Sequence, residues 1–197
     1  MDIKGIIFDC DGTLADTMPP HYEAWVTTLD SYGLALEEDR FYAMGGWPTA
    51  KVAEVIIGES GQALDAQSMG DTKEATFERS LHLVEPIGPV VDIVREHVGK
   101  LPLAVATGGT RSICERILKH IGLFDCFDAI VTADDVEHHK PAPDVFLEAA
   151  RRLGVEPAHC RVYEDTDPGV EAARRAGMEC VDVRTFYSPR RVSGNGR

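Results

Sequence analysis

The sequence has no apolar run approaching the ~20 residues that a helix needs to cross a bilayer, which argues against a membrane-spanning chain. It also lacks a charged opening stretch that leads into an apolar segment, so no secretory leader is expected. Positive charge is scarce: 20 Lys and Arg stand against 33 Asp and Glu, a formal net charge of −13. Such a chain repels nucleic acid and anionic lipid and offers no basic stripe for phosphate backbones, so any anionic ligand must be welcomed locally. Five cysteines are present, at positions 10, 114, 126, 160 and 180. They form no Cys-x-x-Cys pair, which fits neither a disulfide framework nor a zinc ribbon, and reduced, mostly core thiols are expected. There is no internal repeat and no low-complexity tract. The expectation is a cytoplasmic protein of 197 residues, enough for one good core or a core with a small satellite domain.

Within that frame the chain has two textures. Short apolar runs at 3–8 (IKGIIF), 102–107 (PLAVAT), 128–132 (DAIVT), 160–164 (CRVYE) and 179–183 (ECVDV) suit strands covered on both faces. Amphipathic helical patterns lie between the later runs. Segment 111–121 puts Ile113, Ile117, Leu118 and Ile121 on one stripe and stops at Gly122. Segment 143–153 opens at Pro143 and stops at Gly154, and segment 168–176 opens at Pro168 and stops at Gly177. This alternation predicts an α/β protein with a doubly wound parallel sheet. From 17 to 84 the alternation stops and only helical patterns remain, around Tyr22, Trp25, Leu29, Phe41, Val52, Val55, Ile56, Phe77 and Leu81. Proline- and glycine-rich stretches flank this span (Met18-Pro19-Pro20 and Glu85-Pro86-Ile87-Gly88-Pro89), as expected where a chain leaves one domain and returns to it. The predicted division is therefore 1–16 with 85–197 as a Rossmann-like core and 17–84 as an inserted helical domain, with a polar, frayed tail over 188–197.

The chemistry gathers at strand ends. In FDCDGTLADT, residues 8–17, Asp9 and Asp11 lie two apart and share a face in extended chain, at the carboxyl end of the first strand. That end is where open α/β sheets bind ligands. Two carboxylates this close repel unless a cation sits between them or one keeps its proton. Turn or capping aspartates are the plain alternative, since Asp11-Gly12 is good turn chemistry. After the second strand, Thr107, Gly108, Gly109 and Thr110 precede a helix, which makes a ready anion site and is also common connector chemistry. Lys140 follows the third strand, fixed before two prolines; a lone lysine is ordinarily a solvated charge. Glu164-Asp165 end the fourth, and hard oxygen ligands of this kind suit magnesium. Their shared location is where a phosphate and a divalent cation would sit.

In this order and spacing, FDCDGTLADT, AVATGG, HHKPAPD and VYEDTDPG resemble the four motifs of the haloacid dehalogenase-like hydrolase superfamily, over nearly the whole chain. The helical insertion after the first motif is similar to the cap domain of the β-phosphoglucomutase-like branch. The stretches GGWPT and HHKPAPD most resemble bacterial members that hydrolyse fructose 1-phosphate. The resemblance implies that Asp9 is the nucleophile and becomes an aspartyl phosphate, with Asp11 as general acid and then base. It implies Mg2+ held by Asp9, the Asp11 backbone carbonyl and Asp165, with Glu164 near it or sharing the ligation. Thr107 and the Gly108 N–H would bind a phosphoryl oxygen beside Gly109, and Lys140 would neutralise charge. Cys10 should point to the opposite face and pack inside.

Specificity would come from the cap, which closes over the site in such enzymes. The candidates are Thr17, His21, Lys73 and the Gly46-Trp47-Pro48 loop. For two of them a structural reading stands alongside: His21 as a helix residue with a satisfied ring, and Lys73 as a solvated helix lysine. Mutases of the branch typically carry an arginine where Pro48 stands here, which favours hydrolysis of a monophosphate, although Arg111 or Lys51 could grip a second phosphate. A phospho-accepting receiver domain uses similar groups, but it lacks the helical insertion and carries its acceptor aspartate on a later strand. The expected substrate is a small phosphorylated metabolite such as a hexose phosphate, handled by a monomer or weak dimer. His138 and His139 are expected to serve loop structure rather than a metal.

Overall fold

A computed structural model describes residues 2–45 and 47–192; Gly46 of the expected specificity loop and 193–197 of the tail lie outside them. By its internal contacts the chain divides into two units, Met1–Asp16 with Val84–Ser188, and Thr17–Leu83 with the segment from Pro189 onward.

The first unit is built on β1 (Gly5–Phe8), β4 (Leu103–Ala106), β5 (Ala129–Val131), β6 (Cys160–Glu164) and β7 (Glu179–Asp182), a parallel sheet in the order β5-β4-β1-β6-β7. The chain thus starts in the middle strand, pairing Ile7 with Ala104 on one side and with Val162 on the other. Residues of β1 alternate between faces. Ile7 joins Ala104, Ala106 and Val162 in a cluster with α7 (Asp144–Leu153) and α8 (Asp167–Arg175). Those helices meet the sheet largely through Val145, Phe146, Ala149, Ala150, Ala172 and Ala173, and the alanines let helix and strand backbones approach closely. Phe8 faces the other way and stacks on Tyr163, its register partner, with ring centroids 5.0 Å apart. Further buried side chains come from α5 (Gly88–His97), with Val90, Val91 and Val94, and from α6 (Arg111–His120), with Cys114, Ile117 and Leu118. The expected Rossmann-like sheet flanked by helices is thus present.

Two features depart from the sequence reading. Helix α5 begins inside the stretch read as a proline- and glycine-rich connector and runs beyond it; Pro89 sits at its first turn, where the missing N–H is harmless. Short strands β2 (Ala15–Asp16) and β3 (Glu85–Pro86) pair antiparallel, so both connector ends form one ribbon in this unit.

The second unit consists of α1 (Met18–Asp30), α2 (Glu38–Ala43), α3 (Thr49–Ser60) and α4 (Ala66–Arg79). They enclose a core of Trp25, Leu29, Leu36, Phe41, Met44, Val52, Ala53, Ile56 and Met69. The tail residues described here are not frayed. The Tyr42 hydroxyl donates to the Arg190 carbonyl at 2.6 Å, Arg191 stacks over the Tyr42 ring and pairs with Asp39 at 3.0 Å, and the Val192 N–H donates to buried Glu38 at 2.6 Å. Local composition reads as polar chain; side chains on α2 give it fixed partners.

Candidate active site

The candidate site lies at the carboxyl ends of β1, β4 and β6. Asp9 leaves β1 with its N–H donating to the Tyr163 carbonyl at 3.0 Å, which continues the ladder by one residue. The chain then turns sharply, and the Cys10 carbonyl accepts from Leu14 and Ala15, both at 3.0 Å. Gly12 makes this turn at φ 83, in left-handed space. A side chain there would also collide with Asp165, because a Cβ would lie 2.2 Å from its Oδ2. Glycine is required twice over, by conformation and by the carboxylate packed against it. Thr13 Oγ1 then donates to Asp165 Oδ1 at 2.8 Å and fixes that carboxylate, which follows the neighbouring strand β6. Cys10 is fully buried, as expected.

Thr107 follows β4 and is buried; its hydroxyl accepts from the Gly109 N–H at 3.0 Å and lies 3.4 Å from Asp11 Oδ2. Gly108 is exposed, and its open side meets no atom within 4 Å, so its backbone borders open space. Lys140 is the hub. Its Nζ donates to Asp9 Oδ1 at 2.6 Å, to Glu164 Oε1 at 2.9 Å and to the Ala106 carbonyl at 3.3 Å, over the Phe146 ring. With only 10% of its side chain exposed, it is no solvated surface lysine.

The electrostatics follow from counting. Asp9, Asp11, Glu164 and Asp165 bring four carboxylates against the single ammonium of Lys140. Burial disfavours charge on Lys140, but Asp9 and Glu164 beside it win, and its pKa rises. Burial likewise pushes the Asp9 carboxyl well above the usual carboxylate range; Lys140 opposes that shift, and Glu164, Asp165 and Asp11 add to it. Asp165 is pushed up to about 7 by burial and then by Glu164, against the hydrogen bond from Thr13. A buried excess of negative charge on hard oxygen atoms calls for protons or a cation, and the donor set suits Mg2+. Among the described residues no three His, Cys, Asp or Glu side chains are gathered as a metal-ligating group. Asp165 is turned to Thr13, and Glu164 gives both oxygens to Lys140 and Thr166. The likeness that put Glu164 beside a metal therefore meets a carboxylate that is already engaged.

The other candidates belong to the helical unit. His21 stacks on Phe77 with centroids 3.6 Å apart. The Lys73 ammonium meets His21 Nδ1 at 2.8 Å and Glu74 Oε1 at 3.0 Å. An ammonium only donates, so His21 accepts at Nδ1 and carries its proton on Nε2. Lys73 is 2% exposed, which overturns the solvated-lysine alternative. Thr17 precedes α1 with a buried hydroxyl that makes no capping bond, and Trp47 is 44% exposed. The sequence reading missed Thr13, which holds Asp165, Thr166, which holds Glu164, and Glu74, which accepts from Lys73 and from the Thr49 hydroxyl. Thr13 and Thr166 stood beside the acidic motifs, but nothing local revealed their partners. Arg111 pairs with Asp135 at 2.6 Å and Lys51 with Glu54 at 3.4 Å, so both cations suggested for a second phosphate are engaged. His138 meets Asp144, the first residue of α7, at 3.0 Å.

Comparison with known proteins follows the same lines. The sequence signature of the haloacid dehalogenase-like hydrolases matches residues 6–183. A fructose-1-phosphate phosphatase of Escherichia coli is 48% identical over 181 residues, covering 91% of this chain and 96% of that protein. A phosphorylated carbohydrates phosphatase of Thermotoga maritima is 32% identical over 184 residues, covering 91% of this chain and 84% of its own length. In fold, a β-phosphoglucomutase from Clostridium difficile is similar with a TM-score of 0.77 over 91% of this chain and 84% of that one; at 22% identity it speaks to fold alone.

Proposed function

Because the chain belongs to the haloacid dehalogenase-like hydrolase family, we propose that it is a Mg2+-dependent phosphatase that hydrolyses a small sugar phosphate, fructose 1-phosphate or a related hexose phosphate, in the cytoplasm. The observation that carries the reading is Lys140, buried among four carboxylates at the strand ends and bonded to Asp9 at 2.6 Å. The sugar class is supported by the 48% identical relative, a fructose-1-phosphate phosphatase.

In this reading Lys140 holds Asp9 at Oδ1, and the other carboxylate oxygen attacks phosphorus. The bond from phosphorus to the sugar oxygen breaks as Asp11 gives that oxygen its proton. A water then attacks the aspartyl phosphate, its proton passes to Asp11, and the bond from Asp9 to phosphorus breaks to leave inorganic phosphate. Thr107 and the exposed Gly108 N–H hold a phosphoryl oxygen, with Gly109 keeping the Thr107 hydroxyl in place. Asp9, the Asp11 carbonyl and Asp165 would hold Mg2+, which when bound supplies positive charge to the phosphoryl oxygens. The local cation set offsets the net −13 where the anion binds. Thr17, His21, Trp47 and Lys73 of the helical unit are assigned to selecting the sugar. Nucleic acid and membrane are not partners in this reading; among the described residues no helix is long and apolar enough to cross a membrane, and the working form is a monomer or weak dimer.

The test is phosphate release from a panel of phosphorylated metabolites and from p-nitrophenyl phosphate, with Mg2+ and with chelator. Turnover should need the metal and fall by about 10^4-fold or more in Asp9→Asn. A single long-lived phosphorylation without turnover would mark a signalling switch instead, and conversion of a hexose 1-phosphate to its 6-phosphate would mark a mutase.

A further inference from the structure

The phosphatase reading leaves Thr166 without a role. Its hydroxyl lies 3.0 Å from Glu164 Oε2 and 3.2 Å from Oε1, while accepting the Gly169 N–H at 3.1 Å. Its own N–H also donates to Glu164 Oε2, at 2.5 Å. One residue therefore caps helix α8 and grips a carboxylate two positions earlier. The carboxylate lies against Gly169 so closely that a Cβ there would fall 1.8 Å from Oε1. Glu164 is 1% exposed, and the atom it presents forward, Oε1, accepts from Lys140 at 2.9 Å.

We propose that Thr166, with the bare backbone of Gly169, is a positioning clamp: it fixes Glu164 so that Glu164 aims the Lys140 ammonium at Asp9. The geometry demands such a device, because a lysine stem has four rotatable bonds and its ammonium works as a point charge with no preferred plane. Asp9 alone cannot fix it while serving as nucleophile. A second carboxylate that is itself locked supplies the missing constraint, and a hydroxyl locks it better than a charged group because it adds no further charge to a crowded pocket. Lys140 touches the reacting carboxylate; Thr166 acts through Glu164 and Lys140 and touches no substrate.

The inference rests on the phosphatase reading, so turnover of p-nitrophenyl phosphate by the wild type is measured first, and its absence would count against that reading alone. Thr166→Asp separates the two roles of the residue. An aspartate oxygen still caps α8 by accepting the Gly169 N–H, but it cannot donate to Glu164 and repels it. Gly169→Ala approaches from the other side, leaving the Thr166 cap and the helix intact while displacing the carboxylate. Both variants should lose kcat by about tenfold or more with KM within about twofold. Thr166→Ser, which keeps the hydroxyl, should restore kcat. Wild-type kcat in Thr166→Asp and Gly169→Ala would overturn the clamp, as would a loss no larger than the fraction of each variant that is unfolded. Equal impairment in Thr166→Ser would overturn it too, since the hydroxyl would then not be the operative group.

Discussion

Lys73 illustrates how much one buried charge has to be offered. Its ammonium lies 2.8 Å from His21, 3.0 Å from Glu74 and over the rings of Phe77 and Trp25, at 5.2 and 6.0 Å, so it is held by a neutral acceptor, an anion and two π faces. Its placement on α4 follows from sequence, but its burial does not, because a lysine on a helical repeat looks the same whether it faces water or a ring stack. If it selects the sugar, Lys73→Ala should raise KM for fructose 1-phosphate about tenfold and change p-nitrophenyl phosphate turnover by less than about twofold. Equal loss on both substrates would remove it from that role. Asp9 and Asp11 were the opposite case. Their spacing on an extended run was enough to put them at a strand end, whereas the hydroxyl that holds their neighbour Asp165 comes from Thr13, 152 residues away in sequence.

At the scale of elements, two turns carry testable weight. Gly12→Ala must adopt left-handed backbone, at a cost of about 1–2 kcal/mol, and must also push Asp165 aside. A lower melting temperature and a more than roughly tenfold loss of Mg2+-dependent turnover are expected. The second turn follows β5, an edge strand. Asp135 accepts from the Thr132 N–H at 2.8 Å, from Arg111 at 2.6 Å and from Arg152 at 2.8 Å, and both arginines also donate to the Ile130 carbonyl. Although burial opposes it, these donors, led by Arg152, bring the Asp135 carboxyl down to about 2. Its folded pKa is below the unfolded value of about 4. Its stabilisation is thus complete above that value and disappears as pH falls toward 2. Asp135→Asn should therefore cost about 1–2 kcal/mol near neutrality. Melting curves of the two proteins should converge between pH 4 and pH 2, and a gap that stays constant would contradict the assignment. The alternation of strands and helices was legible because each element buries a periodic face. Helix α5 escaped because Gly88 and Pro89 read as a break, although proline at a first turn suits a helix.

For the whole molecule, the charge of −13 and the local cation set act over different distances. Long-range repulsion of an anionic substrate is screened over about 8–10 Å at physiological salt, while contacts to Lys140 are short and buried. Raising NaCl from 10 to 150 mM should therefore increase kcat/KM for a sugar phosphate, by about twofold, with kcat nearly unchanged; a steep fall would mean that exposed cations dominate capture. By itself the sequence determined the fold class, the helical insertion and the strand ends that carry the acids, the threonine and the lysine. Those properties follow from periodicity and spacing along one segment at a time. Only the tertiary structure decided that Glu164 turns to Lys140, that Thr166 locks it, that Lys73 is buried and that the tail packs on α2. Each of the carboxylate, the lysine and the tail has several chemically acceptable partners, and distance between segments far apart in the chain selects among them.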